Sequence, residues 1–334
     1  MKRYHHLSFE ERERLVVQFA QGAGLRAAAR RLGRHHTTIV RELDRVRANA
    51  LEYSAIAGQK VARKHRKKPR RSRKIETSPK LKKYIHTKLA LRWSPQQIAE
   101  SLKRRYGGDK DMQVSHETIY TYIYILPRGE LRKELMSYLR QGQATRQRRY
   151  HTTDNRGKIP NMVSIHERPK DVEDRTIPGH WESDLIIGKD HASAIGTIVE
   201  RTTRTTILVP LKAKGAPAVR RAFAKTVKRL PKEMMKSVTH DRGTEMSEHE
   251  LFTKDTEVQV YFADPQSPWQ RGTNENTNGL IRQFFPKGTD FNKVSRKEIK
   301  HVQKLLNERP REILNWQTPK EVFNQLLING AVRG

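Results

Sequence analysis

The chain has no cysteine among its 334 residues, which excludes disulfides and thiolate-held metals. No apolar run approaches the ~20 residues that a membrane-spanning helix needs. Met1-Lys2-Arg3-Tyr4-His5 lacks the apolar stretch of a secretory signal. Acidic residues are also scarce, with 36 Asp and Glu against 68 Lys and Arg, a formal net charge of +32. So much charge of one sign must face a polyanion or stay solvated, because self-repulsion opposes compaction. Nucleic acid is the first candidate, since Lys and Arg replace the counterions condensed on a phosphate chain. These features predict a soluble, cytoplasmic, nucleoid-associated protein with no membrane partner.

What is present is unevenly placed. Residues 1–150 hold 37 Lys and Arg against 13 Asp and Glu, whereas residues 151–334 hold 31 against 23. The first half reads as the part that grips a polyanion, and the second has room for acidic chemistry. With 35% hydrophobic residues, the length suits two or three domains.

Residues 8–47 read as three helices. Ser8 caps the first, which runs from Phe9 to about Gln21 with Glu10, Glu11 and Glu13 near its positive end. A second covers Leu25–Leu32 and ends at Gly33, and a third starts near His36. Ala29 allows close helix approach, Gly33 suits a left-handed turn and Ile39 packs beneath, as a helix-turn-helix requires. The third helix and its lead-in present Arg34, His35, His36, Thr37, Thr38 and Arg41 to a DNA groove.

Residues 63–74 contain nine Lys and Arg in twelve. The run reads as a phosphate-tracking linker, with Arg66, Lys67, Arg70 and Arg71 as candidate contacts. A second helical module follows, where Ser94-Pro95 opens one helix and Ser115 another. It is either a second DNA reader, using Ser115, His116 and Thr118, or a dimerisation bundle. Residues 140–175 read as a basic, extended connector that lies along DNA or a partner subunit, with Arg148 and Arg149 as candidate DNA contacts.

From His180 the pattern becomes β-rich. Strands are expected over 181–188, 194–200 and 205–211, a helix over 216–230, a strand at 237–240 and a helix over 247–253. A strand over 258–262 and a helix capped by Thr273 and carrying Glu275 complete the set. This order places Asp184 in the first strand, Asp241 at the end of the fourth and Glu275 on a late helix, as in an RNase H-like fold with a mixed sheet. Asp184 among Leu185, Ile186 and Ile187 is costly unless it is paired or metal-bound. Carboxylates without thiolates suit hard cations such as Mg²⁺ or Mn²⁺. Adjacent strands lie ~4.8 Å apart, so Asp184 and Asp241 can share an ion if their strands are neighbours.

Three segments then carry a resemblance. Gly179-His180-Trp181-Glu182-Ser183-Asp184-Leu185-Ile186-Ile187-Gly188, Thr239-His240-Asp241-Arg242-Gly243-Thr244-Glu245 and Ser267-Pro268-Trp269-Gln270-Arg271-Gly272-Thr273-Asn274-Glu275-Asn276 resemble the IS-thirty family of bacterial insertion-sequence transposases. The 33 residues between Asp241 and Glu275 match that family's acidic spacing. Arg41-Glu42-Leu43 and Val114-Ser115-His116-Glu117-Thr118-Ile119-Tyr120 look like its helix-turn-helix motifs. The likeness runs from about Leu7 to Phe323, and one departure is Arg242, where many relatives carry Asn. The resemblance implies Mg²⁺-dependent DNA strand cleavage and transfer, with Mn²⁺ able to substitute. It also implies binding of terminal inverted repeats in double-stranded DNA by the N-terminal modules, and action as a homodimer or larger assembly.

On that reading Asp184, Asp241 and Glu275 are the catalytic and metal-binding residues. Arg271, Asn278 and Arg282 flank Glu275 as candidate strand contacts. Glu182 shares the face of Asp184 and is either an auxiliary acid or one side of a surface salt bridge. His180, His240 and His249 are expected to be structural, and Leu305, Leu306, Ile313, Val322 and Phe323 to be packing. The expected division is a helix-turn-helix domain at 1–50, a basic linker at 51–77, a second helix-turn-helix domain at 78–139, a basic connector at 140–175 and a catalytic domain at 176–328. The rival is a helix-turn-helix transcriptional repressor without catalysis, which leaves the three acids unexplained.

Overall fold

The computed structural model describes residues 5–67, 73–139, 159–169, 172, 174, 176–265 and 267–331. Arg70, Arg71, Arg148 and Arg149, and the side chain of Lys67, lie outside the described residues. Two compact units divide the chain, Met1–Thr77 and Ser78–Gly334.

The first unit is all-helical, with α1 (Phe9–Ala20), α2 (Leu25–Arg31), α3 (His36–Val46), α4 (Ala55–Lys67) and α5 (Lys74–Thr77). Ser8 and Glu11 form a reciprocal capping box at the start of α1. Gly33 takes φ +62° at the turn between α2 and α3, where a Cβ would be strained. Leu15, Phe19, Ala28, Ala29, Ile39 and Leu43 make the core. Beneath it Arg12 and Glu42 form an ion pair at 2.6 Å, each about 1–2% exposed. Arg12 also donates to Leu7 O at 2.6 Å and Gln59 Oε1 at 2.8 Å, while Glu42 accepts from Arg45 at 2.8 Å.

Those bonds correct the expected linker at 51–77. Tyr53 is buried in the core and donates to Glu42 at 3.3 Å, and α4 carries Gln59 and the buried Ala62. The basic run therefore begins inside an amphipathic helix, with Arg63, Lys64 and Arg66 on its exposed face. Lys and Arg are good helix formers, and the small residues beside them supply the packed side.

The second unit opens with α6 (Pro79–Ala90), α7 (Pro95–Arg105), α8 (His116–Ile125) and α9 (Glu130–Ser137). Capping by Ser78, Ser94 and Ser115 starts the first three. Leu81, Ile85, Leu89, Ile98, Leu102, Ile119 and Ile123 are fully buried. This module does not stand apart from the catalytic region, because both cluster in one compact unit. Gln97 donates to Pro310 O at 2.9 Å, and the buried Arg309 donates to Leu91 O at 3.4 Å.

The α/β part contains β1 (His180–Ile187), β2 (Ala194–Glu200), β3 (Thr206–Pro210), α10 (Ala216–Val227), β4 (Ser237–His240), α11 (His249–Thr256), β5 (Gln259–Phe262), α12 (Gly272–Ile281), α13 (Arg296–Asn307) and α14 (Pro319–Ala331). The sheet order is β3-β2-β1-β4-β5. β1, β2 and β3 form an antiparallel meander, whereas β4 runs parallel to both β1 and β5. One face packs Trp181, Ile198, Val209 and Val238 against Val219 and Phe223 of α10 and Phe252 of α11. The opposite face packs Ile186, Ile195 and Leu208 against Leu280 and Ile281 of α12 and Ile299, Val302 and Leu306 of α13. Period-two alternation along β1 thus sends Trp181 one way, and Glu182, Asp184 and Ile186 toward α12.

Two sequence expectations change here. Part of the supposed connector packs on the sheet: Ser164 bridges to Phe262, and Phe262 N donates to Val163 O at 2.9 Å. Ile159 and Ile165 are buried, and that apolar content draws the segment onto β5. Ile313, expected to pack, is 65% exposed, whereas Leu306 is buried and Phe323 meets Trp181 edge-on at 6.4 Å.

Candidate active site

β1 and β4 are neighbours, with Glu182 opposite Thr239. Asp184 and Asp241 lie two residues further along each chain, so the parallel register sets them side by side. Burial pushes the Asp184 carboxyl above its ordinary range, against the opposing pull of the Arg271 guanidinium. Arg271 reaches between the two acids, 3.8 Å from Asp184 Oδ1 and 3.3 Å from Asp241 Oδ2, and donates to Ser183 O at 3.0 Å. Asn278 Nδ2 donates to Asp184 Oδ2 at 2.8 Å. Leu185 N donates to Asp184 Oδ1 at 2.9 Å, and Gly243 N to Asp241 Oδ1 at 3.1 Å.

α12 is held against the sheet by a buried polar layer. Asn274 N donates to Glu182 Oε2 at 2.8 Å, and Thr197 Oγ1 donates to Asn274 Oδ1 at 3.1 Å. Glu182 is fully buried and its other oxygen lies 3.3 Å from Arg201 Nε, itself 5% exposed. Glu182 therefore pairs in the interior rather than at the surface. It anchors the start of α12 to β1, and burying an unpartnered carboxylate there would be costly. Thr273 does not cap α12, which begins at Gly272 with Arg271 as the capping residue. Its hydroxyl instead accepts from Arg204 Nη1 at 2.5 Å.

Glu275 lies in the first turn of α12 and is exposed. Among the described residues, the one trio of His, Asp or Glu ligand atoms all within 4.8 Å of one another is His240, Asp241 and Glu245. Asp184 and Asp241 stand in register on adjacent strands, and with Glu275 they do not form a trio within that separation. Two acids in register on adjacent strands, with a guanidinium between them in the position of a shared cation, fit a divalent metal site. A carboxylate set of this kind is what hard cations take.

The expected strand contacts beside Glu275 are half-buried and have partners within the protein. Arg271 and Asn278 are engaged with the aspartates. Arg282 donates to the carbonyl oxygens of Ile187 at 2.7 Å and Pro286 at 3.2 Å, tying α12 to the end of β1. Arg242 pairs with Asp264 at 3.1 Å and donates to Ala263 O at 3.1 Å, which joins the loops after β4 and β5. His180 bonds Ser237 Oγ at 2.7 Å, and His249 bonds Pro160 O at 3.0 Å.

The strand order, with one acid within β1 and another directly after β4, places this domain among integrase-type cores. A family described as "Integrase core domain" matches residues 175–268, and one described as "Helix-turn-helix domain" matches residues 3–46. The transposase for insertion sequence element IS1086 of Cupriavidus metallidurans is 44% identical over 331 residues, 99% of this chain and 98% of its own. The chain belongs to the IS30 (IS-thirty) family of insertion-sequence transposases. The transposase InsI for IS30A of Escherichia coli is 40% identical over 323 residues, 96% of this chain and 84% of its own. The transposase for IS4351 of Bacteroides fragilis is 36% identical over 330 residues, 98% of each chain. Among solved structures, the catalytic core domain of BIV integrase aligns over 46% of this chain and 97% of its own, at 15% identity and a TM-score of 0.36. That overlap is too loose to add to what the sheet topology already says.

The transposase thus pairs a DNA-binding helix-turn-helix unit with an integrase core, a polynucleotidyl transferase fold that depends on divalent metal. No helix among the described residues is long and apolar enough to cross a membrane. In the first unit His35, His36 and Arg41 are exposed, and Thr37 and Thr38 are half-buried. His35 also caps α3, with Thr37 N donating to its Nδ1 at 3.4 Å. Arg34 is not a free phosphate-binding group, because it pairs with Glu11 at 2.9 Å and braces the turn before α3 against α1. Ser115, His116 and Thr118 are exposed at the start of α8. The layer of Glu182, Arg201 and Asn274 and the pair Arg12–Glu42 escaped sequence reasoning. The only prior signal for the first was that Glu182 shares the strand face of Asp184.

Proposed function

We propose that this transposase binds the terminal inverted repeats of its element through α3, with α8 as a second DNA-facing helix. We further propose that it cleaves and rejoins DNA strands with Asp184, Asp241 and Glu275. The observation that carries the reading is the side-by-side placement of Asp184 and Asp241 on β1 and β4, with α12 crossing beside them. Asp184 and Asp241 would hold Mg²⁺, or Mn²⁺ in its place, and Glu275 would join them when α12 meets DNA. Held by these carboxylates, a divalent ion would supply Lewis-acid polarisation of the scissile phosphate and of the attacking water or hydroxyl.

The chain's own residues set the rest. Asn278 fixes the rotamer of Asp184, so that one carboxylate oxygen stays directed between the strands. Arg271 holds the two like charges together and is released from them as phosphate enters. Trp269, 71% exposed just before α12, offers a face on which an unpaired base stacks. Two DNA ends must be joined to one target, which calls for a homodimer or larger assembly on DNA.

The test is nicking of DNA that carries the element's own ends. The reading predicts Mg²⁺-dependent nicking that stops on chelation and in Asp184→Ala, with end binding retained. A chain that binds the ends but leaves them uncut with Mg²⁺ is a repressor, and the reading fails.

A further inference from the structure

Beside Asp241 lies a second group of ligands. His240 is fully buried, and its Nε2 has no hydrogen-bond partner. That nitrogen lies 3.4 Å from Asp241 Oδ1 and 3.9 Å from Glu245 Oε1. The other ring nitrogen, Nδ1, bonds Ser183 Oγ at 2.8 Å. A buried imidazole nitrogen left without a partner is uncommon and calls for an explanation.

We propose that His240, Asp241 and Glu245 form a transition-metal site, separate from the one between Asp184 and Asp241. Three features support it. First, a tetrahedral ion with bonds of ~2.05 Å sets its ligands ~3.4 Å apart. The His240–Asp241 separation already equals that spacing, the His240–Glu245 separation exceeds it by about half an ångström, and all three ligand atoms lie within 4.8 Å of one another. Second, an Nδ1–H donated to Ser183 Oγ leaves the Nε2 lone pair aimed at the two carboxylates. Orientation of a ligating imidazole by a bond from its other nitrogen is the usual outer-shell arrangement.

Third, the Glu245 carboxylate lies close over Gly243 in the loop that follows Asp241. A Cβ on Gly243 would lie 2.3 Å from Glu245 Oε2. Asp241 divides its oxygens between the two sites. Oδ2 faces Arg271 and the Asp184 side, while Oδ1 faces His240. One imidazole with two carboxylates favours Mn²⁺ or Zn²⁺ over Mg²⁺. The site needs Asp241, but neither Asp184 nor Glu275, so it stands apart from the cleavage reading.

Pulsed EPR of the full chain with Mn²⁺ tests this, because it detects an imidazole ¹⁴N bound to the ion. The wild type is expected to show that coupling, and Asp184→Asn to keep it. Glu245→Gln, whose side chain is 23% exposed, is expected to weaken Mn²⁺ affinity at the nitrogen-coupled site by about tenfold or more. His240→Asn is expected to abolish the coupling, with folding checked by circular dichroism. Absence of nitrogen coupling in the wild type overturns the proposal, as does a coupling that Glu245→Gln leaves at unchanged affinity. Loss of strand cleavage in Asp184→Asn with the nitrogen signal intact separates the two sites.

Discussion

Arg271→Ala is the most informative single change, because it removes the positive charge between Asp184 and Asp241. At an effective dielectric of ~20, opposite charges ~3.5 Å apart attract by about 5 kcal/mol. Desolvation offsets much of that, and the three side chains keep 17%, 22% and 29% of their exposure. Removing one member of a fully buried pair costs about 3–5 kcal/mol, so a partly solvated triad should lose roughly 2–3. For a unit of this size that lowers Tm by roughly 4–12 °C. Added Mg²⁺ neutralises the same carboxylates and no longer competes with a guanidinium. The Mg²⁺-induced rise in Tm should therefore be larger in the variant than in the wild type. Differential scanning fluorimetry with chelator and with Mg²⁺ reads both effects. A variant as stable as the wild type without metal, and with the same Mg²⁺ shift, would refute this role for Arg271.

Burial tends to raise the Glu11 carboxyl, but bonds from Arg34 and Ser8 N bring it below its ordinary value of 4.5. Its contribution is therefore present above pH 4.5 and lost as pH falls through the lower folded value. The stability gap between wild type and Glu11→Gln should accordingly close below pH 4.5 in denaturant titrations. Glu182→Gln leaves Arg201 uncompensated and should cost about 3–5 kcal/mol in urea unfolding; lost cleavage without lost stability would revive Glu182 as an acid in the chemistry. Ile39→Ala, at a fully buried position, should destabilise the first unit by about 2–5 kcal/mol in thermal melts. Arg41→Ala should lower the salt dependence of DNA binding by about one contact, whereas Arg34→Ala should chiefly lower the melting temperature.

The elements nearest the chemistry were legible because their signals are local. Alternation through Trp181–Ile187 marks β1 and puts Asp184 on one face, and the serine caps mark the helix starts. The side chains that hold the site were not legible. Asn278, Arg271 and Arg201 meet their carboxylates only through the packing of α12 and the β2–β3 turn on the sheet, and no sequence spacing encodes that angle. Charge also misled locally. The basic run hid α4, whose packed side depends on small residues rather than on a hydrophobic stripe. Arg34 and Arg282 read as phosphate contacts, and their internal partners, Glu11 for one and main-chain carbonyls for the other, were not legible in the sequence.

Glu275 is the acid that the structure leaves exposed, so cleavage by Glu275→Gln tests the central claim most directly. Single-turnover cleavage of a preassembled complex with end DNA in Mg²⁺ is the measurement. A three-carboxylate site predicts that the variant binds ends as the wild type does and cuts them at least ~10³-fold more slowly, the upper range for one preorganised electrostatic group. Cleavage at the wild-type rate would show that Asp184 and Asp241 work without Glu275 and would contradict the account.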